Sequence, residues 1–266
     1  MSSIDQETVW TFFEELAAAA ARETLPRFRA PLVVENKSVV GGFDPVTGAD
    51  RAVEEALRRL IEARFPAHGI VGEEAADKPG TSEFTWIIDP IDGTRSFMSG
   101  MPTWGTLVGL LEHGAPRFGM MSQPYVGDRF VGGDGRSELI TAAGATPLRC
   151  RAAPALEAAT LFATSPDMFK PGREAEAFNR LAGQTRLTRF GADCYGYCLL
   201  AAGHIDLVVE AQLSYYDIAP LIPIVESAGG VVTDWSGAVI RGGGRAVAAA
   251  DGALHEAALK VLGVHV

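Results

Sequence analysis

Apolar positions recur at helical spacing at the start of the chain, where Val9, Phe12, Phe13 and Leu16 lead into an alanine run, and Ser3 with Gln6 forms a candidate capping box. This predicts an amphipathic first helix. After an irregular stretch rich in Gly and Val, the same spacing returns at Val53, Ala56, Leu57, Leu60 and Ile61, with Thr47 as N-cap, Asp50 in the first turn and Pro66 as the stop. Ile70-Val71-Gly72 is a short apolar run that ends in Glu73-Glu74, and Trp86-Ile87-Ile88 reads as a buried strand running directly into Asp89-Pro90-Ile91-Asp92-Gly93-Thr94. From Trp104 to Thr141, apolar runs over 106–111, 117–121 and 128–131 alternate with Gly and Pro turns, which predicts antiparallel strands. Beyond Pro154 the pattern predicts strands near 161–163, 186–190, 205–209, 231–233 and 246–250. Helices are predicted over 173–181, 192–202, 219–228 and at the end of the chain, the third stopped by Gly229-Gly230. The change near residue 150 predicts an α+β unit over 1–150 and an α/β unit over 151–266, hence two sheets with a cleft between them, where small-molecule sites often form.

Composition narrows the partners. With 266 residues, 47% hydrophobic and 21% charged, the chain has the usage of an ordinary folded protein and is long enough to bury a real core. Its 33 Asp+Glu against 23 Lys+Arg give a formal charge of -10, which argues against nucleic acid or an anionic membrane as the main partner. Such a chain binds phosphate only with local help from helix N-termini, a few Arg or divalent metal. Cys150, Cys194 and Cys198 are too few for a disulfide framework, so a reducing cytoplasm is expected, and Cys194 and Cys198 read as small buried side chains on a helix. No basic segment followed by an apolar run opens the chain and no stretch approaches membrane-helix length, which predicts a soluble, unprocessed protein. His68, His113, His204, His255 and His265 show no metal-ligand pairing and read as surface or cap residues.

The excess acid is informative where it clusters at element ends. Asp89 and Asp92 flank Pro90 after a buried strand, so a rigid extended turn projects two hard oxygen ligands of the kind Mg²⁺ takes. Gly93-Thr94 then lets backbone approach a ligand and offers N–H groups to an anion if a helix begins there. Each acid alone is equally well a solvated turn or a helix cap, but Asp50, Glu73-Glu74 and Asp217, which precedes the helix predicted from Ala219, add to the set in order. No Cys is followed six positions later by Arg, and the two aspartates of the central motif are three apart, so phosphocysteine and aspartyl-phosphate chemistries lack their motifs.

Taken together, Asp44-Pro45-Val46-Thr47 with Asp50, Gly72-Glu73-Glu74, the segment Trp86 to Thr94, and Tyr216-Asp217-Ile218-Ala219 with Glu226 to Gly230 resemble the inositol-monophosphatase-like family of Mg²⁺-dependent phosphatases over essentially the whole chain. The resemblance implies a layered αβαβα sugar-phosphatase fold, a homodimer, and two or three Mg²⁺ ions per site. It makes Glu73, Asp89 and the carbonyl of Ile91 ligands of a first metal, and Asp89, Asp92 and Asp217 ligands of a second. Asp50 and Thr94, with Glu73, would serve the attacking water, and the N–H groups of Gly93 and Thr94 would hold phosphate. Bound ions would neutralise the charge that develops as a phosphomonoester is displaced in line.

Arg95-Ser96-Phe97, Pro102 to Thr106, Arg189 to Gly196 and Tyr216 to Leu221 resemble the histidinol-phosphate phosphatase branch, which acts in histidine biosynthesis. Histidinol phosphate carries a cationic amine and an imidazole where inositol carries only hydroxyls, so an extra acid in the leaving-group pocket would favour it. Asp193, aided by Glu210, is the candidate for that contact, with a helix cap as the alternative for Asp193; Arg95 is a candidate at the phosphate or cleft mouth. Tyr195, Tyr197 and Tyr215 are candidates to stack on imidazole. The competing expectations are an inositol-1-monophosphatase and a non-catalytic module that binds metal or sugar phosphate.

Overall fold

The computed structural model describes residues 4–31, 34–36, 45–152 and 155–263; Ser3, Asp44, Pro154 and His265, each used above, lie outside them. Helix α1 (Gln6–Thr24) is capped by Asp5, whose carboxylate accepts the Thr8 N–H. A two-stranded antiparallel ribbon, β1 (Val34–Asn36) and β2 (Pro45–Thr47), leads into α2 (Gly48–Arg64). As the sequence predicts, Thr47 caps α2, in a reciprocal capping box with Asp50. A seven-stranded sheet follows in simple chain order: β3 (Gly69–Gly72), β4 (Phe84–Asp92), β5 (Gly105–Glu112), β6 (Ala115–Gln123), β7 (Asp128–Gly133), β8 (Arg136–Thr141) and β9 (Gly144–Pro147). Within this sheet, among the described residues, only the β3–β4 pair is parallel. The short helix α3 (Thr94–Ser99) interrupts the run between β4 and β5.

The second sheet has the order β11-β10-β12-β14-β13, built from β10 (Thr160–Ala163), β11 (Leu187–Phe190), β12 (Leu207–Leu213), β13 (Val231–Thr233) and β14 (Gly244–Ala249). Helices α4 (Arg173–Ala182), α5 (Tyr195–Ala201), α6 (Tyr215–Ile218), α7 (Leu221–Ser227) and α8 (Gly252–Leu262) complete the chain. Three cores stack the layers. The first joins α1 and α2 to the seven-stranded sheet through Phe12, Phe13, Leu57 and Trp86; the second lies between the sheets, where α5 and α7 meet Leu107, Met121, Val208 and Ala248. The third packs α4 and α8 on the outer face of the five-stranded sheet through Phe178, Leu181, Val247 and Leu254. The result is the expected αβαβα layering with two sheets.

Three elements depart from the sequence-based expectations, each for a local reason. Strand β4 does not end at Ile88: its pairing with β5 continues to Asp89, breaks in a bulge, and resumes at Asp92 opposite Gly105, so Pro90 sits where no ladder N–H is required. The helix expected over 219–228 is α7, which starts only at Leu221, and a separate short helix, α6, precedes it. Pro220 has no N–H to continue α6, and α7 begins one residue later, so Asp217 lies inside α6 rather than before a helix. The helix expected from Ala192 starts only at Tyr195, after Asp193 takes a left-handed backbone (φ 47°). His68 and His255, read as surface or cap residues, are instead buried: His68 Nδ1 accepts the Trp86 indole N–H at 3.0 Å, and His255 Nε2 lies 2.8 Å from the Thr233 hydroxyl.

What sets the middle layer against the first sheet is a row of glycines. Gly109, Gly119 and Gly132 are direct cross-strand neighbours on β5, β6 and β7. A Cβ at Gly119 would overlap the Pro220 carbonyl oxygen, one at Gly132 would overlap the Ile224 backbone, and one at Gly109 would lie 3.4 Å from Pro220 Cα. Helix backbone therefore rests directly on strand backbone, closer than any side chain permits. This approach carries Asp217, three residues before Pro220, toward the end of β4. Gly119→Ala should lower stability by about 3 kcal/mol in denaturant unfolding, whereas Gly252→Ala on α8, where a Cβ meets nothing within 4 Å, should leave the midpoint unchanged.

Candidate active site

The bulge in β4 turns two aspartates toward the same space. Asp89, 2% exposed, and Asp92 meet Asp217 from α6, and the three carboxylates bring oxygens within 4.8 Å of one another. Asp217 is held by its own capping box, its Oδ2 accepting the Ser214 N–H at 2.8 Å. Asp92 Oδ2 accepts the Cys194 N–H at 2.7 Å, a bond that ties the two halves of the chain together at the site. Asp89 Oδ1 is buried and finds no hydrogen-bond partner among the described residues. Such an atom is costly to bury unless something positive sits beside it.

The electrostatics agree. Burial, then the charges of Glu73, Asp92, Asp217 and Asp50, push the Asp89 carboxyl well above the usual range. Burial, followed by the charges of Asp193 and Asp217, does the same for Asp92 against the opposing Cys194 N–H. Asp217 is pushed up to about 7, chiefly by burial, with the charges of Glu73 and Glu210 adding to it and the Ser214 N–H opposing. Four to five acids that cannot all ionise together, offering hard oxygens and an unsatisfied buried one, fit a divalent cation. Glu73, after β3, is the largest neighbouring charge acting on Asp89, although it stands outside the tight trio.

The water-serving candidates adjoin this cluster. Asp50 Oδ2 accepts the Thr47 N–H at 2.8 Å and the Thr47 hydroxyl at 2.6 Å, which leaves Oδ1 directed at the Thr94 hydroxyl, 3.5 Å away. Thr94 also donates to the Ile91 carbonyl at 3.1 Å, the same carbonyl that the family resemblance implies as a ligand. Gly93 precedes α3 with φ 79°, and a Cβ there would lie 2.8 Å from Asp193 Cγ. Glycine is thus required both by the backbone and by the neighbour.

A cavity of about 660 Å³ opens beside the cluster, its lining including Asp92, Gly93, Thr94, Arg95, Asp193, Glu210 and Asp217. The Asp193 carboxylate caps no helix. Its Oδ2 accepts the Ser96 hydroxyl at 2.5 Å and the Thr103 hydroxyl at 2.8 Å. Burial raises the Asp193 pKa, opposed by these hydroxyls and by the charge of Arg95. Glu210 accepts the Thr164 N–H at 2.9 Å and the Tyr197 hydroxyl at 3.0 Å, and burial raises its pKa. Of the three tyrosines considered for stacking, Tyr197 lines the cavity; Tyr195 donates to Asp128 and Tyr215 to the Gly114 carbonyl, away from it. Ser96, Thr103, Thr164 and Tyr197 escape sequence reasoning as supports of the two pocket acids, because each reaches its partner only through the tertiary fold.

A carboxylate cluster beside an open cavity, with the Asp50–Thr94 pair adjoining it, is the arrangement of a metal-dependent phosphatase. The comparison with known proteins is specific. The model of the inositol monophosphatase family matches residues 5–265. The chain is 36% identical to the histidinol-phosphatase of Mycobacterium tuberculosis over 92% of its own length and 94% of that protein's. It is likewise 36% identical to the bifunctional phosphatase IMPL2, chloroplastic, of Arabidopsis thaliana, over 94% and 73%. The solved inositol monophosphatase of Zymomonas mobilis superposes with a TM-score of 0.86 at 38% identity, covering 98% of this chain and 99% of that one. The chain belongs to the inositol monophosphatase family. Among its described residues, no helix is long and apolar enough to cross a membrane.

The raised acids carry a sign. A carboxyl whose folded pKa exceeds its unfolded one keeps its proton longer in the folded state, so its contribution is complete below the ordinary carboxylate range. That contribution is lost as pH rises toward about 7, the value for Asp217. Cation binding must expel those protons. Saturating Mg²⁺ should therefore raise Tm more at about pH 8 than at about pH 5, and Asp217→Asn should remove most of that difference in a thermal-shift titration.

Proposed function

We propose that the protein hydrolyses histidinol phosphate to histidinol and phosphate, with Mg²⁺ held in two or three sites. The observation that carries this reading is the pair of buried acids, Asp193 and Glu210, that line the same cavity as Asp92 and Asp217 and would offer negative charge to the leaving group. Glu73, Asp89, Asp92, Asp217 and the Ile91 carbonyl would hold the ions. When bound, these supply charge neutralisation for the entering water and the departing alkoxide.

The chain's own residues supply position and proton transfer. Asp50 is anchored through one oxygen by Thr47, so its other oxygen and the Thr94 hydroxyl form a fixed pair that accepts a proton from the attacking water. Phosphate would rest against the N–H groups of Gly93 and Thr94 at the start of α3, with Arg95 at the cleft mouth. Beside Gly93, Asp193 keeps Oδ2 on two hydroxyls and lines the same cavity, where a cationic amine would offset the cost of its burial. Glu210 adds a second negative charge behind it; a carboxylate that accepts two bonds still has lone pairs to offer. Residues 1–150 thus bring most of the metal and water-serving groups, and 151–266 bring Asp217 and leaving-group recognition.

Support comes also from the relatives, which include histidinol-phosphatases at 34% to 36% identity. The solved inositol monophosphatase at 38% identity favours the second reading, inositol 1-phosphate as substrate. A homodimer in the cytoplasm, serving histidine biosynthesis, completes the proposal.

Two measurements test it. Asp50→Asn should lower kcat by about 10²- to 10⁴-fold with little change in KM. Asp193→Ala should raise KM for histidinol phosphate far more than for inositol 1-phosphate; an equal rise for both would count against the role of Asp193.

A further inference from the structure

Helix α2 carries a buried ion pair one turn beyond Asp50. Glu54, 1% exposed, receives the Arg58 Nε–H at 2.7 Å, and Arg58 itself is largely covered. The pair reaches outward to a single target, the turn that follows β3. Glu54 Oε2 accepts the Glu74 N–H at 2.7 Å and Oε1 accepts the Ala75 N–H at 3.1 Å. Arg58 donates to the Ala75 carbonyl at 3.0 Å and the Ala76 carbonyl at 3.2 Å. Two donors and two acceptors of one short turn are thus claimed by one fork. The approach also explains Gly72: a Cβ there would overlap Glu54 Oε1 and lie 2.7 Å from Arg58 Nη2.

We infer that Glu54 and Arg58 are positioning residues that preset the Glu73 carboxylate for the metal, an inference that rests on Glu73 being a ligand as proposed above. Asp50 and Glu54 stand four apart on the same helix, so one rigid element fixes the water-serving aspartate directly and Glu73 through its neighbour's N–H. A turn held only by solvent would let Glu73 swing from the like-charged Asp89 and Asp217, whose repulsion the folded chain must resist before any cation arrives. Charged hydrogen bonds to backbone on both sides of the turn supply that restraint. The arrangement is the carboxylate counterpart of the outer partners that orient metal-binding side chains, whose loss typically costs about 10- to 100-fold in metal affinity.

The test uses Mn²⁺ alone, with free ion read by EPR, on the wild type, Glu54→Gln, Glu73→Gln and the double variant, together with activity at saturating metal. Glu54→Gln should weaken Mn²⁺ binding by about tenfold, while saturating metal restores kcat to near the wild-type value. In the double variant, Glu54→Gln should add nothing to the loss caused by Glu73→Gln. Additive losses, or unchanged affinity in Glu54→Gln beside a weakened Glu73→Gln, would overturn the positioning role while leaving Glu73 a ligand. Unchanged affinity in Glu73→Gln would overturn the ligand reading itself, and this inference with it. Should Glu54→Gln fail to fold, Arg58→Met, which keeps the side-chain stem and removes the two carbonyl contacts, is expected to weaken Mn²⁺ binding in the same non-additive way.

Discussion

Three aspartate side chains from two separate elements bring oxygens within 4.8 Å of one another in a site where one of them is almost wholly buried. Negative charges that close cannot all persist in a poorly solvated place; either protons remain on some of them or a cation joins them. The raised pKa of Asp89, Asp92 and Asp217 and the unpartnered Oδ1 of Asp89 express the same constraint from two sides. Much of the surrounding structure serves to impose it: the β4 bulge aims two carboxylates together, the capping box of α6 holds the third, and the Cys194 N–H steadies Asp92.

The fold meets the constraint by bringing backbone unusually close to backbone. The row of Gly109, Gly119 and Gly132 lets the α6–α7 segment lie on the seven-stranded sheet, and Gly72 and Gly93 let Glu54 and Asp193 come against the main chain. Helix-to-sheet distance, ligand geometry and pocket shape are thereby set by atoms that do not rotate. Site precision then follows from packing density rather than from long side chains held by entropy-costly contacts.

The motifs were legible where chemistry is contiguous in the chain. Thr47 with Asp50 reads as a cap and is one, and Asp89 to Thr94 reads as a strand passing into a turn before a helix because Pro90 restricts the backbone and Gly93 frees it for the left-handed turn before α3. Five-layer packing followed from the resemblance rather than from periodicity, which shows the strands but not their order. Invisible in the sequence were relations across the fold: the register that aligns three glycines, the Ser96 and Thr103 hydroxyls on Asp193, and the Glu54–Arg58 fork on the turn after β3. Asp193 itself is instructive. Its position before a helix suggested a cap as readily as a pocket acid, and only its left-handed backbone, which turns the carboxylate toward Ser96, separates the two.

The carboxylate cluster is expected to hold divalent cations beside the reacting phosphate. Crystals grown with Mn²⁺, measured for anomalous scattering, test it most directly. Anomalous peaks are expected bounded by Asp89, Asp92 and Asp217, with Glu73 and the Ile91 carbonyl at an adjoining peak. A catalytically active, Mn²⁺-saturated crystal with no anomalous peak among these carboxylates would contradict it.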